Sequence, residues 1–187
     1  MKVDEIAGEV IALLKDSGGE QYFGEAVSKL SHAEQCAWQA QQAGAGEELV
    51  LASLLHDIGH LLDTSDAVRD ERVGVINHDE VGEQWLLARG FSPRVAALVG
   101  GHVDAKRYLT ATNPGYWDRL TAASRETLQL QGGPMDPGAA AVFAREPELK
   151  DMLRLRSWDE MAKDPDWTGP GVDTYREMLI RHLSRAE

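Results

Sequence analysis

Four histidines and two aspartates are spaced along the sequence in a way that suggests a site for two metal ions. They are His32, the adjacent pair His56 and Asp57, His78, His102 and Asp159. The chain has only six histidines, so most of its imidazole groups belong to this set. Imidazole and carboxylate ligands without cysteine suit iron, manganese or zinc better than magnesium or calcium. Two such ions could activate water for hydrolysis, or could activate dioxygen if they are redox-active.

The adjacent pair His56 and Asp57 predicts how two ions would share these ligands. An apolar pattern predicts one helix over residues 47–61, and neighbouring helical side chains diverge by about 100 degrees. The two side chains therefore cannot bind one ion in the same way. A carboxylate can bridge two ions, so we expect Asp57 to bridge while His56 binds one of them.

Apolar residues recur at helical spacing along nearly the whole chain, and no convincing strand pattern appears. Ser92 and Pro93 are typical of a helix start, because serine caps free amide groups and proline fits the first helical position. The 187 residues therefore predict a single all-α domain, a helical bundle. Its expected parts are an N-terminal helix over 1–20, a segment 22–25, a metal-binding core over 26–163 and a C-terminal helix over 172–185. The expected helices include 3–15, 25–43, 47–61, 78–88, 92–102, 104–110, 121–131, 138–146, 148–163 and 173–185.

The composition excludes several classes of protein. A net charge of −12 argues against a nucleic-acid partner bound through a general basic surface. No run of about 20 apolar residues is present, so no membrane span is expected. The first residues lack the basic and apolar regions of a signal peptide. The single cysteine, Cys36, is expected to be a small buried residue, and it fits a reducing, cytoplasmic location.

An ordered set of short segments resembles the PhnZ-like HD-domain oxygenases, over about residues 20 to 178. The segments are YFGEA at 22–26, LLHDIGH at 54–60, GHVDAKRYL at 101–109, ASRETL at 123–128, QGGPMD at 131–136 and RSWDE at 156–160. The resemblance implies an HD-domain helical bundle that holds two iron ions, one ferrous and one ferric. It also implies that dioxygen is used to cleave the carbon–phosphorus bond of 2-amino-1-hydroxyethylphosphonate, giving phosphate and glycine.

The resemblance also implies a role for individual residues. The six ligand positions fall on the histidines and aspartates described above, with Asp57 as the bridge. Tyr22 would be a lid that can occupy iron before substrate binds, and Glu25 would recognise the substrate amine. The phosphonate-binding positions would be His60, Lys106, Ser124 and Arg156. Spacing alone selects none of these, since a lysine or arginine on a helix is by default solvated. His182, in the last helix, is likewise expected to be solvated.

Three alternatives remain open at this point. The same chemistry could act on the N-trimethylated hydroxyphosphonate and release glycine betaine. The metal pair could instead belong to an HD-type phosphohydrolase, which would work without oxygen. A non-enzymatic module is disfavoured because all six ligand positions are filled. An upstream phosphonate hydroxylase is an expected functional partner, because the hydroxyl group at C1 must be installed by another reaction. The sequence carries no signal for an oligomeric state.

Overall fold

The computed structural model describes residues 2–185, and helices account for most of them. The α-helices are α1 Val3–Ser17, α2 Lys29–Gln42, α3 Glu47–Leu55, α4 His78–Ala88, α5 Pro93–Gly100, α6 His102–Thr112, α7 Tyr116–Arg119, α8 Ala122–Leu130, α9 Pro137–Phe143, α10 Leu149–Met161 and α11 Arg176–Arg185. Two short 3₁₀ helices span Ile58–Leu61 and Val172–Tyr175. The expected all-α class is confirmed. Within residues 2–185, none of the helices combines the length and the apolar composition that a membrane-spanning segment requires.

Helix α3 lies at the centre of the molecule. Every residue from Leu49 to Leu55 is buried, as expected of a helix that is apolar on all sides. Helices α2, α5, α10 and α11 pack around it. Cys36 of α2 is fully buried in this cluster, which confirms its expected place. The end of α3 therefore delivers the residues that follow it to the middle of the fold.

Two local expectations from the sequence are wrong. The segment 63–75, where the sequence shows no convincing strand pattern, contains a small antiparallel hairpin in which β1 (Arg69–Asp70) pairs with β2 (Gly74–Val75). The Asp70 carboxylate accepts two amide hydrogen bonds within the turn, which is the local interaction that forms it. Helix α2 begins at Lys29 rather than at residue 25, because Ser28 caps it through the amide of Ser31 at 3.1 Å.

His182 is buried rather than solvated, so that expectation is also wrong. Its ring packs against Phe91, with the ring centroids 5.5 Å apart, and its Nε2 accepts a hydrogen bond from the amide of Ser92 at 3.1 Å. The side chain of Ser92 caps α5 as expected, through the amide of Val95. The neutral imidazole of His182 thus links the C-terminal helix, α11, to the start of α5 through the hydrogen bond from the amide of Ser92.

Candidate metal centre

The His-Asp pair lies at a break between two helices. Helix α3 ends at Leu55, and Asp57 has φ −101° and ψ 12° before the 3₁₀ helix begins. The expected single helix over 47–61 is therefore interrupted where the pair stands. Gly59 follows, and its main chain packs directly against the main chain of His78, a contact that leaves no room for a β-carbon. This close approach brings the first residue of α4 to the end of α3.

Four buried imidazole rings are oriented by the main chain. Each places its Nδ1 atom against a carbonyl oxygen: His32 against Ala162 at 2.8 Å, His56 against Ser53 at 2.9 Å, His78 against Val75 at 3.2 Å and His102 against Val99 at 2.6 Å. A carbonyl oxygen can only accept, so Nδ1 carries the proton in each ring. In the neutral ring, Nε2 then presents a lone pair.

The four Nε2 atoms converge in two pairs. Those of His32 and His56 lie 3.1 Å apart, and those of His78 and His102 lie 3.0 Å apart. Two lone pairs at this distance repel each other unless a cation lies between them. Such outer hydrogen bonds from Nδ1 to a carbonyl are the usual way in which proteins orient a metal-binding histidine. The arrangement fits two metal ions, one for each pair.

Asp57 lies between the two pairs, with one oxygen facing each. Its Oδ1 is 3.2 Å from Nε2 of His78 and 3.6 Å from Nε2 of His102. Its Oδ2 is 3.5 Å from Nε2 of His56 and 3.7 Å from Nε2 of His32. This Oδ2 is buried and has no hydrogen-bond partner among residues 2–185. An unpaired buried carboxylate oxygen is costly, and a bound cation would satisfy it.

Asp159 joins the first pair from α10. Its Oδ1 lies 3.2 Å from Nε2 of His32, and its Oδ2 accepts a hydrogen bond from the guanidinium of Arg156. Tyr116 and Glu160 hold Arg156 in turn through its Nε. Burial acts to raise the pKa of Asp159, but Arg156 and the nearby histidines outweigh it and hold the pKa well below its usual value. The carboxylate therefore stays ionised and ready to bind a cation.

His60 offers a second way to complete the site around His78. Ligand atoms of His32, His56 and Asp57 lie within 4.8 Å of one another, and so do those of Asp57, His60 and His78. The ring of His60 is, however, stacked on that of His78, with centroids 3.9 Å apart. Stacked rings direct their nitrogen lone pairs side by side, whereas the Nε2 of His102 points at that of His78. His102 is therefore the better ligand, and His60 is left facing the cavity.

A cavity of about 850 Å³ opens beside the cluster. This is a typical volume for a site that binds a small molecule. Its wall includes four of the proposed metal ligands, Asp57, His78, His102 and Asp159. All six residues predicted to contact substrate also line it: Tyr22, Glu25, His60, Lys106, Ser124 and Arg156. The fold thus brings together residues from distant parts of the sequence.

Lys106 is a buried cation in the wall of this cavity. It is 4% exposed, and its ammonium group donates to Gln131 at 2.5 Å and to Thr127 at 3.1 Å. Burial, helped by the charge of Arg156, lowers the pKa of Lys106 to about 7. Burial deprives the ammonium group of its stabilisation by water, and an anion bound in the cavity would stabilise the charge instead. The position suits the recognition of a small, negatively charged substrate.

Tyr22 and Glu25 lie in the loop that precedes α2. The Tyr22 ring stacks on that of His32, with centroids 4.2 Å apart, and so covers the first histidine pair. Burial first, and then the charges of Asp57 and Asp159, raise the pKa of Tyr22. Glu25 is not free: its Oε1 accepts from Lys163 and from Thr121, both at 2.7 Å.

Comparison with known proteins assigns the chain to a family. The model of the HD-domain family matches residues 30–144, more than half of the sequence. The chain belongs to the HD-domain family. It is 38% identical over 168 residues to the [1-hydroxy-2-(trimethylamino)ethyl]phosphonate dioxygenase (glycine-betaine-forming) of Leisingera caerulea, covering 90% of this chain and 85% of that protein. It is 36% identical over 173 residues to the hydroxymethylphosphonate dioxygenase of Gimesia maris, covering 90% and 86%. These likenesses identify it as a PhnZ-like HD-domain oxygenase, an oxidoreductase of the dioxygenase type.

Three side chains of this HD-domain oxygenase were missed in the sequence. Gln131 and Thr127 hold the ammonium group of Lys106, and Lys163 holds Glu25. Thr127 and Gln131 are four residues apart at the C-terminal end of α8, so their side chains lie on one side of the helix. This spacing could have indicated that they act together. Lys163 carried no signal, because its partner is 138 residues away in the sequence.

Proposed function

We propose that the protein is a di-iron oxygenase that cleaves the carbon–phosphorus bond of a small 1-hydroxyphosphonate with dioxygen. The preferred substrate is 2-amino-1-hydroxyethylphosphonate, and the products are then phosphate and glycine. One observation supports this most directly: Asp57 presents one oxygen to each of two histidine pairs, beside a cavity that contains a buried lysine. The two dioxygenase relatives act, by name, on hydroxyphosphonates.

The residues that would hold the two ions follow from the distances. His32, His56 and Asp159 would bind one ion, His78 and His102 would bind the other, and Asp57 would bridge them. Iron suits such nitrogen-rich sites with carboxylates and, unlike zinc, changes its oxidation state. When bound as a ferrous–ferric pair, it would supply the redox chemistry that dioxygen activation requires. The unpartnered Oδ2 of Asp57 and the facing Nε2 lone pairs are the features that such ions would satisfy.

The side chains of the cavity would orient the substrate by holding both of its ends. Lys106, with His60 and Ser124, would bind the phosphonate, for which a buried ammonium group is a strong hydrogen-bond donor. Arg156 already holds Asp159, so it would share its charge between this ligand and the phosphonate. Glu25 would accept the substrate amine. With both ends held, one hydrogen at C1 faces the metal pair, and we expect a single enantiomer to react.

Oxidation explains why a redox-active pair is suited to this bond. Hydrolysis at phosphorus would have to expel a carbanion, which is a poor leaving group. Oxidation at C1 first makes this carbon electrophilic, so that phosphorus leaves with oxygen attached. The overall reaction balances: the hydroxyphosphonate and one dioxygen give a carboxylate and phosphate, and both oxygen atoms enter products. Tyr22, stacked over His32, would keep water from the metal pair until substrate enters.

A second candidate is the same reaction on the N-trimethylated substrate, with glycine betaine as product. Tyr22 and Phe23 line the cavity near Glu25, and aromatic rings favour a quaternary ammonium group. A relative that is 38% identical is named for this reaction. Against it, a trimethylammonium group cannot donate a hydrogen bond to Glu25. In either case an upstream hydroxylase would supply the substrate, because the C1 hydroxyl is not installed by this reaction.

The deciding experiment measures phosphate released by the iron-loaded protein, with and without dioxygen. Three substrates are compared: the primary amine, its trimethylated form and hydroxymethylphosphonate. We expect oxygen-dependent release that is fastest with the primary amine, together with glycine. Faster turnover of the trimethylated compound would select the second candidate. Equal release without oxygen would instead indicate an HD-type phosphohydrolase and would refute the oxidative reaction.

A further inference from the structure

Glu25 is held by a lysine that lies outside the cavity wall. The ammonium group of Lys163 is 2.7 Å from Oε1 of Glu25, and both side chains are largely buried, with 14% and 11% exposed. The hydroxyl of Thr121 donates to the same oxygen at 2.7 Å. Glu25 lines the cavity whereas Lys163 does not. The lysine therefore approaches the carboxylate from the side away from the cavity. Among residues 2–185 both hydrogen bonds to this carboxylate go to Oε1, which leaves Oε2 for a ligand.

The main chain at Lys163 is itself firmly placed. The preceding carbonyl, that of Ala162, accepts the Nδ1 proton of His32. The following residue, Asp164, exchanges two hydrogen bonds with the side chain of Gln35, at 2.9 and 3.0 Å. Residues 162–164 thus connect the end of α10 to α2 on both sides of the lysine. One short segment orients a proposed metal ligand and supports the Lys163 ammonium group.

The loop that carries Glu25 has few other attachments. We call residues 21–28 the lid loop. Within it, the amide of Tyr22 donates to the carbonyl of Val27 at 2.8 Å, and the amide of Glu25 donates to the carbonyl of Tyr22 at 3.0 Å. Gly24 packs on Ala123 of α8, where a β-carbon would lie 2.8 Å from that of Ala123. The ion pair with Lys163 is thus a charged link between this loop and the segment that directly follows α10, the helix that bears Asp159.

We propose that Lys163 is a positioning residue that holds the lid loop closed and directs Oε2 of Glu25 at the amino end of the substrate. The first role, holding the lid loop, does not depend on which reaction the protein catalyses. The second role, directing Glu25 at the substrate, rests on the proposed function. Lys163 would touch no substrate atom. Its shortest contact is with Glu25, at 2.7 Å, and longer contacts reach Oγ of Ser124 at 3.3 Å and Oγ1 of Thr121 at 3.4 Å. Without Lys163, the hydrogen bond to Oε1 that remains among residues 2–185 comes from the neutral hydroxyl of Thr121, and the loop loses its charged link to the segment after α10.

The first test measures amide hydrogen exchange in the full-length protein, with no substrate added. We expect Lys163→Met to speed exchange at the amides of Tyr22 and Glu25 by about tenfold or more, because a buried charged hydrogen bond is lost. Lys163→Arg should restore most of the protection. The control is Lys150→Met, an exposed lysine on α10, which should leave exchange unchanged. Unchanged exchange at both amides in Lys163→Met would overturn the proposal.

The second test separates positioning from a general structural role. We compare kcat/KM for 2-amino-1-hydroxyethylphosphonate with that for hydroxymethylphosphonate, which has no amine. Lys163→Met should lower this ratio by about tenfold, mainly through KM of the aminated substrate. A structural defect would lower both values together and leave the ratio unchanged, which would contradict the positioning role.

A double variant shows whether Lys163 acts through Glu25. Glu25→Gln should lower the same ratio, and adding Lys163→Met to it should lower the ratio by less than twofold more, since residues that act as one unit are not additive. If the double variant lowered the ratio by the product of the two single-variant effects, the two residues would act independently and the assignment would be refuted. If no hydroxyphosphonate is turned over, the proposed function fails, whereas the exchange experiment still decides the role of Lys163 in the lid loop. Lys163→Gln serves where Lys163→Met does not fold.

Discussion

The main chain of Gly59 lies directly against the main chain of His78. A β-carbon on residue 59 would overlap the carbonyl oxygen of His78 and lie 2.7 Å from its carbonyl carbon. Two segments meet here: the turn that follows Asp57, and the first residue of α4. The distance between Asp57 and His78 in the metal centre therefore depends on a residue that has no side chain.

Gly59→Ala should damage the second metal position more than the first. The added methyl group meets main-chain atoms, which cannot rotate away, so we expect a loss of about 1–3 kcal/mol in the free energy of unfolding. Iron content should fall towards one ion per chain, as His78 is displaced. Urea unfolding and metal analysis measure the two effects. Gly19→Ala is the matched control, since its β-carbon would meet no atom within 4 Å. Full iron content in Gly59→Ala would contradict this account.

Asp57→Asn should lower the binding of both ions, because the same carboxylate faces both histidine pairs. The amide has nearly the same shape but no charge. We expect iron content below one per chain, whereas His102→Ala should leave about one ion bound to the other pair. Asp104→Asn is the control, as this aspartate pairs with Arg107 at the surface. If Asp57→Asn retained two ions per chain, the bridging assignment would be wrong.

Lys106→Met should separate stability from substrate binding. Burial already penalises the ammonium group, so its replacement by an apolar chain should not destabilise the substrate-free protein. Loss of a charged hydrogen bond of about 1.5–3 kcal/mol should raise KM for a hydroxyphosphonate by tenfold or more. Thermal unfolding and steady-state kinetics give the two numbers. A variant with normal KM would show that Lys106 does not bind the phosphonate.

His182 should make the stability of the fold depend on pH. Burial is the main cause of its lowered pKa; Glu48 and Glu47 act to raise it, and Arg185 acts to lower it. The unfolded chain then binds a proton more readily than the folded one. Stability from this group is complete above the ordinary pKa of 6.5 and is lost as the pH falls towards the lower, folded-state pKa.

The comparison for His182 uses His182→Gln, whose side-chain oxygen can accept from the Ser92 amide but does not titrate. The free energy of unfolding should fall more steeply for the wild type than for the variant between about pH 7.5 and 5. Chemical denaturation across this range measures both slopes. Parallel slopes would mean that the histidine titrates alike in the folded and unfolded chains.

Local patterns in the sequence were sufficient for most of the fold. The cap at Ser92 and the apolar run of α3 depend on neighbours within a few residues, and both could be predicted. The proposed ligands could be predicted as a set, because the His-Asp pair stands in the LLHDIGH segment and the other positions match the ligand pattern of the family that this segment resembles. The burial of His182 could not be predicted, because its acceptor role towards Ser92 depends on how α11 packs against α5. The same holds for Lys163, whose partner is set by the path of the lid loop.

The main-chain carbonyls that hold the four imidazole rings limit how this centre can vary. No amino-acid substitution deletes a main-chain carbonyl group. Point mutations therefore have little effect on how strongly these rings donate electrons to a bound metal ion. Among residues 2–185, the proposed ligand with a side-chain partner on its outer oxygen is Asp159, held by Arg156. Substitutions that change the electron density at bound metal ions would therefore be found mainly at Arg156 and at Tyr116 and Glu160, which hydrogen-bond to its guanidinium group.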